Sequence, residues 1–239
     1  MPLAAVGGLA LLTGCPEKAT EPPSPGVVPL RVWVILSDRD SDLGDDQNVG
    51  CRLSQVEITS YIQALRTNTP ALFGTNDPFT WTGNVQKIYV TEDLLPGQRG
   101  QPREVVDAAY LMAWLFLVEG KWAPNHLNIY FAGHLDPGTA YALTVDPNPN
   151  PNVAFIAIND RGLFAPSGHA VVLADHVLEH EMGHFLLRRT GQSPYDENEH
   201  VEEGSYNIME RYSPFPLVLP SAEQQEAKTR LEGTGWRLP

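Results

Sequence analysis

From His169 to Arg189 the chain runs without a proline or any cluster of strand-breaking residues, and Gly191 follows just past the end of the run. That pattern predicts one long helix closed by a C′ glycine. No other stretch constrains the fold as much, because a helix of this length has to be buried against a sheet or against other helices. Inside it stand His180, Glu181 and His184, in the stretch HEMGH. Positions i and i+4 of a helix lie one above the other, so both imidazoles can reach a single ion.

Two imidazole nitrogens at that spacing suit zinc. Glu181, next to the first of them, is angled toward the open side of such a site, where it can take a proton from water polarised by the metal. A catalytic zinc lowers the pKa of its water to about 7 and keeps three protein ligands with one exchangeable position. The resulting hydroxide can then attack a polarised carbonyl. Two histidines leave the set one short, and the third ligand has to come from downstream. Asp196, Glu197, Glu199, His200, Glu202 and Glu203 are all within reach.

The stretch resembles the metzincins, zinc peptidases marked by HExxHxxGxxH followed by a turn containing methionine. His180 to His184 matches the first half, and Ser205-Tyr206-Asn207-Ile208-Met209 looks like the methionine turn. His200 stands before Met209 at about the separation that the third histidine keeps in compact members. The resemblance implies Zn2+ held by His180, His184 and His200, with Glu181 as general base and Met209 as a hydrophobic floor beneath the metal. The resemblance suggests for Tyr212, three residues after Met209, the role of a tyrosine that helps stabilise the oxyanion in some relatives, although the spacing differs. The chain departs from the family where its glycine and third histidine would fall, at Leu187 and Thr190. Here the helix runs about one turn longer, and QSPYDENE precedes His200. Glu202 or Glu203 as third ligand, in a gluzincin-like closure, is therefore the rival within the enzyme class. A non-catalytic zinc-binding surface lipoprotein is the rival outside it. His176, four residues before His180, has no role in the family pattern and reads as a bystander, as do Asp175 and His169.

The 239 residues suffice for one domain with a full core. Apolar residues at 42% and charged residues at 19% argue for a folded chain. A net charge of −13 argues against nucleic acid and anionic membrane surfaces as partners. The opening MPLAAVGGLALLTGC resembles a bacterial lipoprotein signal, with Leu12-Thr13-Gly14-Cys15 as lipobox and Cys15 as the lipidated residue, although no Lys or Arg precedes Lys18. The segment that follows, rich in proline and polar residues, reads as an extended tether. The division is then signal peptide 1–15, tether 16–29 and zinc metallopeptidase domain 30–239. The expected location is the bacterial cell envelope, with a peptide or protein substrate and membrane contact through the lipid anchor only. Cys51 is left without a disulfide partner and reads as a small buried residue.

Arg31 to Ser37 predicts a buried strand, and the acidic loop after it falls short of an EF-hand because Val49 stands where glutamate is needed. Ser54 to Thr67 predicts an amphipathic helix with Ser54 as N-cap and Val56, Tyr61, Ile62 and Leu65 on its apolar side. Val85 to Thr91 predicts a strand. Pro102 opens a second, core helix spanning Val105 to Val118. Strands follow at Leu127 to Ala132, Ala140 to Val145 and Val153 to Ile158, separated by DPG and DPNPNPN turns. Ser221 with Gln224 fits a capping box for a last helix to about Leu231. The order predicts an α+β fold. The resemblance specifies it as a metzincin-like zincin domain: a twisted mixed sheet with backing helices, an antiparallel edge strand near Ala140 to Val145, an active-site helix and a C-terminal helix.

Overall fold

The computed structural model describes residues 26–37, 50–90, 106–107, 120–133, 135–136, 142–145, 154–160, 170–187 and 219–233. The first strand, β1 (Val28–Ser37), alternates so that Val28, Leu30, Val32 and Val34 face one way and Arg31, Trp33 and Ile35 the other. It begins three residues before Arg31, because Val28 is itself buried in the core.

Against β1 lies β5 (Leu127–Ala132), and against that β8 (Ala154–Asn159), all three parallel. The registers line up core rows across the strands. Leu30 meets Leu127, which meets Ala154; Val32 meets Ile129, which meets Ile156; Val34 meets Phe131, which meets Ile158. Every residue of β5 is buried, as expected of a central strand covered on both faces. At one end of the sheet, β7 (Ala142–Val145) pairs antiparallel with β8. The sheet is therefore mixed, and the antiparallel strand stands where the sequence predicts it.

The other side of β1 carries two parallel segments, β2 (Phe79–Thr80) beside Val28 and Pro29, and β3 (Val85–Val90) beside Val32 to Ser37. Between them Trp81 to Asn84 loop out of the pairing, with Gly83 at φ 81°, a conformation that favours glycine. Two short strands, β4 (Val106–Asp107) and β6 (Leu135–Asp136), pair in parallel apart from this sheet.

Strands that run parallel need a crossover to join them, and α1 (Gln55–Phe73) supplies it between β1 and β2. Ser54 caps it in a full capping box: Ser54 Oγ accepts from the Glu57 amide at 3.3 Å, and Glu57 Oε2 accepts from the Ser54 amide at 2.7 Å. Ser54 Oγ also donates to Glu57 Oε2 at 2.7 Å, and that bond first, with the one from the Ser54 amide, holds the Glu57 carboxyl below its ordinary pKa. The helix runs past Thr67 and through Pro70 to end at Gly74, which is left-handed at φ 63°. Its buried stripe is Ile58, Ile62, Leu65, Thr69, Leu72 and Phe73. Val56, expected on that stripe, instead points outward at 75% exposure. Just beyond the helix, Asp77 takes Arg66 Nε at 2.9 Å and its terminal nitrogen at 2.8 Å, which fixes the turn into β2.

Helices α2 (Ala170–Leu187) and α3 (Ser221–Gly233) pack on each other and on α1. Together they bury Val177, Leu178, Met182, Leu186, Ala227 and Leu231 in one cluster with the helix-side rows of the sheet. The last helix begins one residue earlier than a Ser221 cap implies. The Pro220 carbonyl already accepts from the Gln224 amide at 2.9 Å, so Ser221 lies inside the helix. The helix expected from Val105 also needs correction, since Val106 and Asp107 are extended and paired in β4; residues 108–119 lie outside the described residues. No helix among the described residues is long and apolar enough to cross a membrane.

The opposite face of the sheet is closed by residues 120–126, which run as irregular chain pinned by two side chains of β5. Asn128 Oδ1 accepts from the Ala123 amide at 2.9 Å and from Trp33 Nε1 at 3.1 Å. Its Nδ2 donates to the Ala123 carbonyl at 3.0 Å and the His126 carbonyl at 3.1 Å. One buried amide thus satisfies all of its own bonding capacity and three backbone groups of the loop. Tyr130 donates its hydroxyl to the Lys121 carbonyl at 2.7 Å and stacks on Trp33 with centroids 6.0 Å apart. Burial holds that phenol well above its ordinary pKa.

Candidate functional site

Helix α2 carries HEMGH, and its roll about its own axis decides what that motif can do. Leu178, Met182 and Leu186 form the stripe that enters the core. At roughly 100° per residue, His180 stands about 160° from the centre of that stripe. It is half-buried, in keeping with a position on the side turned away from the core. Its two chain neighbours flank it and are both enclosed: Glu179 is 1% exposed and Glu181 is 7% exposed. Among the described residues, His180 thus stands partly open between two buried carboxylates.

Glu181 is thereby a carboxylate withdrawn from bulk water beside a half-open imidazole. His184 follows one turn later in the same unbroken helix, on the side where His180 stands. The donor chemistry fits a zinc ion as far as the described residues extend, with two imidazoles at helical i, i+4 spacing and a carboxylate next to the first. Of the other predicted site residues, Cys15, His200, Met209 and Tyr212 lie outside the described residues, as do Glu202 and Glu203. Among the described residues no three ligating side chains converge.

Glu179 went unnoticed in the sequence. Its Oε1 accepts from Asn68 Nδ2 of α1 at 2.8 Å, joining the site helix to the crossover helix. No local signal marked it, because Asp175, His176, His180, Glu181 and His184 make this part of α2 polar in any case.

The helix also packs against β7 and the end of the sheet it forms. Among the described residues β7 pairs with β8 alone, so it forms an edge of the sheet beside the site helix. At the C-terminal end of β8, Asp160 is fully buried and accepts from the Arg52 amide, with the Arg52 guanidinium 3.5 Å from its other oxygen. This fastens the end of β8 to the residues just before the Ser54 cap. Cys51, next to Arg52, is buried, and desolvation with the adjacent Asp160 charge pushes its thiol up to about 12. It stays protonated and packs as a small apolar residue, as expected from the sequence.

No family model and no curated protein matches the chain. Among solved structures it is similar to archaemetzincin from Methanopyrus kandleri, at 16% sequence identity and a TM-score of 0.42, over 86% of this chain and 96% of that one.

Proposed function

We propose that the chain is a zinc-dependent endopeptidase with a metzincin-like catalytic domain. The observation that carries this reading is the roll of α2, which buries Glu181 while leaving His180 half-open, with His184 one turn along the same helix. When bound, zinc would supply the Lewis acidity that polarises the scissile carbonyl and acidifies the attacking water. His180 and His184 would hold it, with His200 as the third ligand. Glu181 takes the proton from the attacking water and delivers it to the leaving amine, so that one carboxylate serves as base and then as acid. The substrate strand adds antiparallel to β7, on the side that pairs with no described strand.

The test is elemental analysis of the purified protein together with hydrolysis of an unfolded protein, with and without chelator. One zinc per chain and chelator-sensitive cleavage are expected. His200→Ala should lower zinc affinity by about tenfold or more, because zinc binding free energy falls sharply when a coordinating group is lost. Retention of zinc in that variant would transfer the third position to Glu202 or Glu203.

The LTGC sequence supports a lipid anchor at Cys15 that holds the domain on the envelope. Expression in a bacterial host should place the full chain in the detergent phase of a membrane extract. Cys15→Ser should move it to the aqueous phase; an unchanged distribution would remove the anchor from the proposal.

A further inference from the structure

We propose that the Asn68–Glu179 pair sets the roll of α2 and so keeps the histidine side of the helix turned away from the core. The inference deepens the peptidase reading above, and its zinc measurement rests on that reading. Apolar contact is non-directional, and the apolar residues of α2, Val171, Val172, Leu173, Val177, Leu178 and Leu187 among them, are spread all round its circumference. Packing of Leu178, Met182 and Leu186 alone therefore leaves neighbouring rolls close in energy. A buried hydrogen bond has a direction, and it can select among them.

Glu179 of α2 makes such a bond to α1. Its carboxylate is 1% exposed, so it has no bulk water to turn to, and Asn68 meets it at 2.8 Å. A roll of one residue position would carry Glu179 away from Asn68 and bring the His180 imidazole into the space between the helices. Asn68 can act as a fixed reference because α1 is held at both ends, by the Ser54 and Glu57 box at its start and by the Arg66–Asp77 clamp at its close. Asn68 lies two residues from Arg66 in this restrained helix. Glu179 is a positioning residue in this account, acting on the site through the helix it orients.

Three variants test it. N68D sets two carboxylates against each other; E179Q keeps an amide oxygen for Asn68; N68D/E179Q restores the bond with donor and acceptor exchanged. The first measurement uses metal-free protein and follows carbethoxylation of His180, localised by tandem mass spectrometry. N68D should change that rate by about threefold or more, while E179Q and N68D/E179Q should stay close to wild type, since both retain a donor–acceptor bond between the two positions. The second is zinc affinity by competition with a chromophoric chelator: N68D should bind about tenfold more weakly, the scale on which supporting residues tune metal sites. N68D/E179Q should recover most of that loss, a rescue that a general loss of stability would not produce. If N68D does not fold, N68A replaces it and is compared with E179Q in both measurements. A wild-type His180 rate in N68D, or in N68A if that replaces it, overturns the proposal, and so does a double variant no better than N68D. Wild-type protein that takes up no zinc overturns the peptidase reading alone, and the metal-free measurement still decides this one.

Discussion

Glu181→Gln should leave zinc content at the wild-type level and lower kcat for peptide hydrolysis by about 10²–10⁴-fold, the usual contribution of a positioned acid–base group. Glutamine has nearly the same shape, so the enclosed position of residue 181 is refilled without a cavity. What it lacks is a group that can accept the proton of the attacking water, and the loss is therefore confined to the chemical step. On the proposed reading substrate binds along β7 and not to this carboxylate, so KM should change little. Measuring zinc, KM and kcat on one preparation separates the readings. Undiminished turnover would remove Glu181 from the reaction, and loss of zinc would mean that this side chain ligates.

Phe131→Ala should destabilise the fold by about 3–5 kcal/mol, as removal of a fully buried aromatic from a core does. Phe131 is 0% exposed in the central strand, between Val34 and Ile158 in its row. The Tyr61 ring of α1 lies 6.5 Å from its own at a tilt of 33°. Truncation opens a hole where the sheet and the crossover helix meet, and neighbours on adjacent strands cannot close it without breaking register. Urea denaturation should show the loss as a lower midpoint at an unchanged slope. Val56→Ala is the matching control: exposed on the outer side of α1, it should fall within about 0.5 kcal/mol of wild type. A loss below about 1 kcal/mol at Phe131 would mean that the rows across β1, β5 and β8 do not carry the core as described.

The sequence was most legible where one element's own residues decide its shape. Short strand-like runs bounded by turn residues located β5 and β8 to within a residue or two, and the proline-free run with its trailing glycine located α2. The Ser54 cap was readable because both of its partners lie within one helical turn. Errors came where the partner is distant. Val56 fitted a helical stripe as well as Ile58 does, and only the sheet beneath α1 chooses Ile58, Thr69 and Phe73 over it. Val106 and Asp107 look like the start of a helix until Leu135 and Asp136 provide a strand to pair with. The same holds at the candidate site. His180, Glu181 and His184 are visible as a local spacing, whereas the contact between Asn68 and Glu179 spans 111 positions and leaves no local mark.

The four contacts of Asn128 bear on how this protein ages. Spontaneous deamidation requires the amide nitrogen of the next residue to fold back onto the side-chain carbonyl carbon. Here that nitrogen belongs to Ile129 in an extended strand, and the side chain is held at both of its polar atoms. Conversion to aspartate would set an oxygen against the Ala123 and His126 carbonyls and release the segment over the sheet. The bonds that such damage would break are the ones that keep it from starting.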